Sequence, residues 1–310
     1  MIGLIITIFI LGYIAIALEN PLKINKAASA LITGCLCWAF YIASASDSAL
    51  IGEKLTSYLG ELSQILFFLM GAMTIVELID AHDGFEIITK RVRTKSKRKL
   101  IWIICILAFF LSSVLDNLTA TIVMISLTRK LMTGRNDRLL FAGAIVISAN
   151  AGGAWSPIGD VTTTMLWIGG QISATSIVIK LFIPSLVCLL VPLLILNFTL
   201  KGEVIAPEEK FEDPDDVPNE LHRNIVFYCG LGVLLLIPVL KTVFHLPPFI
   251  GILLGLGILW VIVEILHNEK DEMDRKNYTV AYALRKIDSP SILFFLGFFS
   301  LFPLWTRQDS

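Results

Sequence analysis

Long apolar runs alternate with short polar segments along the whole chain. A membrane-spanning helix needs about 20 mostly apolar residues. The segments that meet or approach this length are 1–19, 27–46, 62–81, 100–127, 139–170, 176–200, 224–243, 246–266 and 289–305. The pattern predicts an all-α polytopic membrane protein in which the polar segments, such as 47–61, are loops.

The composition supports lipid as the solvent. The chain has 310 residues, of which 55% are hydrophobic and 16% charged, whereas soluble domains carry about 25% charged residues. A water-soluble fold of this size would need more polar surface to cover its core. The net charge of −1, without a basic arm, gives no reason to expect a nucleic-acid partner. We expect a multi-pass protein of the cytoplasmic (inner) membrane.

Lysine and arginine predict the orientation, because they concentrate in cytoplasmic loops. The 20–26 and 83–99 segments are basic, whereas 47–61 between them holds only Lys54. This places the N-terminus outside and 83–99 in the cytoplasm.

Both flanks of segment 100–127 are basic, since 128–138 contains Arg129, Lys130, Arg135 and Arg138. One ordinary span cannot place both ends on one side, but a re-entrant hairpin can. Its tip would be Leu115-Asp116-Asn117-Leu118. Non-helical backbone at that depth is tolerated only inside protein or beside a water-filled cavity.

Segment 139–170 is too interrupted for a plain helix. Gly152, Gly153, Pro157 and Gly159 lie close together in its middle, and proline cannot continue the hydrogen-bonding pattern of a helix. The sequence therefore predicts a broken helix here. Transporters build ion sites at such discontinuities.

Oxygen-bearing side chains cluster at both interruptions. They are Asp116, Asn117 and Thr119 at the hairpin tip, and Asn150, Ser156, Asp160, Thr162 and Thr163 at the break. Hard cations prefer oxygen ligands. Neither cluster contains a histidine or a cysteine, so the residue types do not favour zinc, copper or iron. Carboxylates inside a membrane are costly and mark function. We predict that Na⁺ and protons compete at Asp116 and Asp160, and that Glu77 is a candidate proton relay.

Three runs resemble a known family: Phe68–Glu77, Ser113–Thr121 and Asn150–Thr163 are similar to NhaD-type sodium/proton antiporters, in the ion-transporter superfamily. The resemblance implies an inverted-repeat fold with re-entrant hairpins and broken helices. It also implies exchange of sodium for protons, with lithium as a second candidate ion. We expect no cofactor, and a homo-oligomer is a candidate assembly. By motif match, the transport residues would be Asp116, Asn117, Asn150, Asp160, Thr162 and Thr163.

The resemblance also predicts the domain organisation. Residues 1–200 would be the first transmembrane repeat, 201–223 an acidic cytoplasmic linker, and 224–310 the start of a second repeat. Members of the family continue with a second hairpin and a second broken helix beyond the part that resembles this chain. We therefore expect a family member that is truncated at its C-terminus, with an incomplete second repeat.

Three alternatives remain. An arsenite or dicarboxylate carrier is related, but Asp116 at the hairpin tip disfavours an anion. A truncated, non-transporting remnant is the second. An intramembrane aspartyl protease would need Gly-x-Gly-Asp, whereas the chain has Pro157-Ile158-Gly159-Asp160; we predict a transporter and not an enzyme.

Overall fold

The structure is a computed structural model that describes residues 2–44, 48–89, 94–205, 219–268 and 276–301. Over these ranges the regular secondary structure is helical, and strand-like pairing is limited to one isolated bridge between Ser96 and Glu203. The helices are α1 (Ile2–Ala17), α2 (Glu19–Leu22), α3 (Lys26–Ala43), α4 (Ser48–Ala81), α5 (Glu86–Thr89), α6 (Lys97–Ser112), α7 (Asn117–Leu131), α8 (Arg135–Ala154), α9 (Val161–Ile168), α10 (Ala174–Thr199), α11 (Glu220–Phe244), α12 (Pro248–Leu266), α13 (Val280–Lys286) and α14 (Ser289–Phe299).

The predicted all-α membrane protein is confirmed. Among the described residues, five helical stretches are long and apolar enough to cross a bilayer: Lys26–Ala43, Ile51–Ala81, Ala174–Thr199, Glu220–Phe244 and Pro248–Leu266. α1 and α14 are apolar but shorter. Most of the predicted acidic linker, 206–218, and the end of the last predicted span, 302–305, lie outside the described residues.

The prediction of a loop at 47–61 is wrong for residues 48–61, which form the first part of α4. No proline interrupts this stretch, and its leucine, glutamate and lysine residues favour helix. At 1.5 Å per residue the 34-residue helix is about 51 Å long. Because the hydrocarbon layer is about 30 Å thick, part of α4 must extend beyond it.

The chain forms two compact units, one of residues 1–73 with 286–310 and the other of residues 74–285. In the first unit, α1 and α14 both pack against α3. The Trp38 indole nitrogen donates to the Ser300 carbonyl at 2.6 Å. A Cβ built on Gly34 would lie 2.7 Å from the Gly297 carbonyl oxygen, so α3 and α14 touch almost backbone to backbone.

In the second unit, α6, α7, α8 and α10 surround an apolar core. Ile104, Phe109, Phe141 and Ile145 are fully buried there. This core supports two predicted elements, the hairpin that the basic flanks indicate and the broken helix that the glycines and proline indicate.

The first of these elements is a helical hairpin, made of α6, a turn at 113–116 and α7. Lys97 Nζ at the start of α6 lies 2.8 Å from Asp137 Oδ2, which follows the hairpin. The Thr133 amide, just after α7, donates to the Ile205 carbonyl at 3.0 Å, and the Lys97 amide donates to Gly202 at 3.2 Å. Both feet of the hairpin therefore lie at the same end, as the charge pattern predicts.

The second element is the broken helix. α8 ends at Ala154 and α9 begins at Val161, so residues 155–160 form the predicted break. Pro157 lies within it and has no backbone N–H to continue the helix. The predicted boundaries, 139–170, miss the first turn of α8, which starts at Arg135.

Candidate functional site

At the hairpin tip, Asp116 is the N-cap residue of α7. Its Oδ1 accepts a hydrogen bond from the Thr119 backbone amide at 2.9 Å, and its Oδ2 accepts one from the Thr119 hydroxyl at 2.6 Å. An N-cap carboxylate satisfies helix N–H groups that have no other partner. Thr119 thus holds both carboxylate oxygens of Asp116.

At the break, Asp160 is the N-cap residue of α9. Its Oδ1 accepts hydrogen bonds from the amides of Thr162 at 2.9 Å and Thr163 at 3.3 Å. The positive end of the helix dipole offsets part of the carboxylate charge. The two predicted aspartates therefore have the same local role, each at the N-terminus of the helix that follows an interruption.

Asn117 joins the two interruptions. Its side-chain Nδ2 donates to Asn150 Oδ1 at 2.9 Å and to Asp160 Oδ2 at 3.2 Å. The Asn150 amide in turn donates to the Val146 carbonyl at 2.8 Å. Three predicted site residues from α7, α8 and the break therefore meet through direct hydrogen bonds.

Glycines allow this meeting because the backbones approach closely. A Cβ built on Gly152 would lie 2.1 Å from the Phe109 carbonyl oxygen, and one on Gly159 would lie 2.3 Å from the Ser112 carbonyl oxygen. The sequence indicates these glycines as helix breakers, but not as contact points. The neighbouring sequence does not reveal that these glycines are contact points, because their partners Phe109 and Ser112 lie on another helix.

Ser112 is a candidate site residue that sequence reasoning missed. Its side chain is fully buried, and its Oγ has no hydrogen-bond partner among the described groups. A Cβ on Gly153 would lie 3.3 Å from this oxygen, so the hydroxyl lies directly behind the break. Buried hydroxyls almost always have partners. The unpaired hydroxyl adds one more oxygen at the junction of hairpin and break.

Not every predicted residue joins the cluster. Within the described structure, the Asp116 carboxylate contacts Thr119 and makes no hydrogen bond to Asp160 or its partners. Ser156 is buried, and its hydroxyl oxygen accepts from the Ile158 amide at 3.3 Å.

The three threonines at the start of α9 point in different directions. Thr162 is exposed, Thr163 half-buried and Thr164 buried. Thr162 and Thr163 contact Asp160 through their backbone amides. Glu77 lies half-buried on α4, and its role as a proton relay stays a prediction.

Comparison with known proteins identifies the family of the chain. Residues 13–302 match the citrate transporter family. The chain belongs to this family. Among its relatives, it is 45% identical to sodium/proton antiporter 1 of Arabidopsis thaliana over 94% of this chain and 50% of that protein. It is 42% identical to sodium/proton antiporter 2 of the same plant, over 94% of this chain and 69% of the relative.

A bacterial protein is also similar to the chain. The Na(+)/H(+) antiporter NhaD of Vibrio cholerae is 31% identical over 81% of this chain and 53% of that protein. The predicted resemblance to NhaD-type antiporters is thus confirmed. The chain spans about half the length of most of the curated relatives it matches.

Proposed function

We propose that this protein takes part in the exchange of Na⁺ for protons across the cytoplasmic membrane, with both cations competing for the Asp160 carboxylate. The observation that carries the proposal is the position of Asp160 Oδ2, beside Asn117 and Asn150 where the hairpin meets the broken helix. Antiporter relatives support the same reaction.

Asp160 has oxygen lone pairs left for a cation. Its Oδ1 accepts two backbone hydrogen bonds, whereas its Oδ2 accepts one from the Asn117 amide. Asn150 Oδ1 also accepts one hydrogen bond and keeps a second lone pair. Sodium binds several such oxygens at once, and a proton binds one. Protonation of Asp160 removes the charge that attracts the metal ion and releases it.

Asp116 and Ser112 extend the oxygen set. Asp116 places a second carboxylate at the hairpin tip, next to the residue that contacts Asp160. The unpaired Ser112 hydroxyl lies beside Gly153, just before the break. Lithium also prefers oxygen ligands, so we propose that it competes at the same atoms.

The site is open on one side, since Asn150 and Thr162 are exposed. Exposed polar groups are costly in lipid. We propose that a second inverted repeat, beginning in 224–310 after a cytoplasmic linker, faces these groups in a complete exchanger. The relatives that are about twice as long have room for such a repeat.

A second candidate is transport of a carboxylate anion, which the description of the family favours. An anion would have to approach two carboxylates, Asp116 and Asp160, and like charges repel. Sodium/proton exchange fits the charge of the site better. Uptake of labelled citrate into the vesicles described next separates the two functions.

The test uses everted vesicles from cells that lack their own sodium/proton antiporters. Four proteins are compared: the chain itself, the chain fused to the C-terminal half of the Arabidopsis sodium/proton antiporter 1, and that fusion with either Asp160→Asn or Asp137→Asn. We expect the fusion to move protons when Na⁺ is added, and Asp160→Asn to lose at least 90% of this activity, because a neutral amide releases no proton. Asp137→Asn, at the foot of the hairpin, is the matched control and should stay active.

Full activity in the Asp160→Asn fusion would contradict the proposal. Citrate uptake without sodium-dependent proton movement would favour the second candidate. Exchange by the unfused chain would show that no second repeat from a relative is required.

A further inference from the structure

Lys241 contacts the far end of the helix that starts at Asp160. It lies in the last turn of α11, and its Nζ is 2.5 Å from the Trp167 carbonyl oxygen. The same nitrogen lies over the Trp167 ring, 4.3 Å from the ring centroid. Trp167 is in the last turn of α9 and is buried. One lysine thus contacts both the backbone and the side chain at the C-terminus of α9.

The Lys241 contact places an ammonium group at the C-terminus of α9. A lysine in an apolar segment is costly unless its ammonium has partners. Within the described part of the chain, no carboxylate forms an ion pair with Lys241. The carbonyl and the ring of Trp167 therefore provide its interactions. Ammonium groups are favourable at a helix C-terminus because the last carbonyls are partly negative.

α9 depends on contacts at its ends. It has eight residues, and helices this short are not stable by themselves. At its N-terminus, the Thr162 and Thr163 amides bind Asp160. At its C-terminus the chain turns away at Gly170, whose φ is +73°. The Lys241 contact lies about 12 Å from Asp160, the length of the helix at 1.5 Å per residue.

We propose that Lys241 is a positioning residue that anchors α9 and thereby orients the Asp160 carboxylate for sodium. The inference rests on the proposed function, in which Asp160 binds the transported cation. Any displacement of α9 moves the two amides that hold Asp160 Oδ1. It also changes the distance from Asp160 Oδ2 to Asn117, which now measures 3.2 Å.

Sodium and protons respond differently to such a displacement. A positive charge about 12 Å away repels both monovalent cations equally, so its removal leaves their relative affinities unchanged. A displaced carboxylate weakens sodium more than the proton, because sodium needs several oxygens in one geometry. The ratio of sodium affinity to proton affinity therefore separates positioning from a simple charge effect.

The first measurement is hydrogen–deuterium exchange on the purified chain without sodium. In Lys241→Met, we expect the amides of 161–168 to exchange about tenfold faster, because α9 loses a charge-assisted hydrogen bond at its C-terminus. Lys241→Arg keeps the charge and a donor and should restore protection. Lys180→Met is the matched control, since Lys180 is an exposed lysine on α10. Unchanged exchange in a folded Lys241→Met would overturn the anchoring role. If Lys241→Met does not fold, Lys241→Gln replaces it.

The second measurement is binding of radioactive ²²Na⁺ to the same proteins from pH 6 to pH 9. We expect Lys241→Met to lower sodium affinity relative to proton affinity about fivefold, a factor typical of a charge at a helix terminus, and Lys241→Arg to restore it. An unchanged ratio in Lys241→Met would contradict the inference. If neither the wild-type chain nor its fusion to the C-terminal half of the Arabidopsis antiporter binds sodium, the proposed function fails and so does the sodium part of this inference. The exchange experiment still decides whether Lys241 anchors α9.

Discussion

Asn117 is the residue on which the candidate site depends most. Its amide donates to Asn150 on α8 and to Asp160 at the break, and no other side chain of the described structure hydrogen-bonds both. Hydrogen bonds to charged groups contribute about 1.5–3 kcal/mol. A neutral donor here stabilises the Asp160 carboxylate without adding a competing charge.

We predict that Asn117→Ala weakens sodium binding to the purified chain about tenfold, because Asp160 Oδ2 loses its donor. Asn117→Asp should also move the displacement of sodium by protons to higher pH, since a second carboxylate favours the protonated form of its neighbour. Binding of ²²Na⁺ across a pH series measures both effects.

The control for these variants is Thr121→Val. The Thr121 hydroxyl donates to the Asn117 backbone carbonyl at 2.7 Å and does not touch Asp160. Sodium binding should stay within twofold of the wild type. A tenfold loss of sodium binding in Thr121→Val, or no loss in Asn117→Ala, would show that the Asn117 side chain does not determine sodium binding.

At the scale of elements, the hairpin and the broken helix pack as one unit because their backbones touch. Gly152 packs against the Phe109 carbonyl and Gly159 against the Ser112 carbonyl. Trp155 then stacks on Phe109, with ring centroids 6.0 Å apart. The polar tip of the hairpin reaches the break only because α6 and α8 lie this close.

Gly152→Ala should separate the two elements. Its Cβ would lie 2.1 Å from backbone, so α6 or α8 must shift. We expect the free energy of unfolding to fall by about 1–3 kcal/mol, as in other overpacked cores. Thermal unfolding in detergent measures the change.

Gly143→Ala is the matched control on the same helix. A Cβ there meets nothing within 4 Å, and alanine favours helix by up to about 1 kcal/mol over glycine. This variant should be as stable as the wild type or more so. Equal stability of Gly152→Ala and Gly143→Ala would contradict the close packing.

At the scale of the whole molecule, charge and connectivity agree on orientation within the second unit. The basic residues on both flanks of the hairpin lie at one end, where Lys97 pairs with Asp137. After this end, the broken helix and α10 follow as an outgoing and a returning element. The 170–173 turn between them should therefore lie on the side opposite to the hairpin feet.

We predict that a cysteine at Gln171 reacts with a membrane-impermeant maleimide in intact cells, whereas one at Lys95 reacts only in everted vesicles. Both side chains are exposed in the structure, and basic loops favour the cytoplasm. The wild-type chain, with its own five free cysteines, gives the background. Labelling of both positions from the same side would contradict the orientation.

Local patterns in the sequence were enough to predict the type of element at most positions. Apolar runs of spanning length predict the helices, basic flanks predict the hairpin, and Gly152, Gly153, Pro157 and Gly159 predict the break. They failed at 48–61, where helix-forming residues extend α4 beyond its apolar part. Composition distinguishes apolar from polar segments, but a polar segment can be loop or helix.

The sequence by itself determined that this is a helical membrane protein with two polar interruptions. Lipid requires long apolar helices, so a polar or helix-breaking residue within one is easy to recognise. Only the tertiary structure decided which of the polar residues meet: Asn117 with Asn150 and Asp160, Thr119 with Asp116, and Lys241 with Trp167. Apart from the Thr119 contact, these pairs are far apart in the chain. Such contacts depend on the distance between packed helices, and this distance cannot be read from the type and spacing of side chains along the chain.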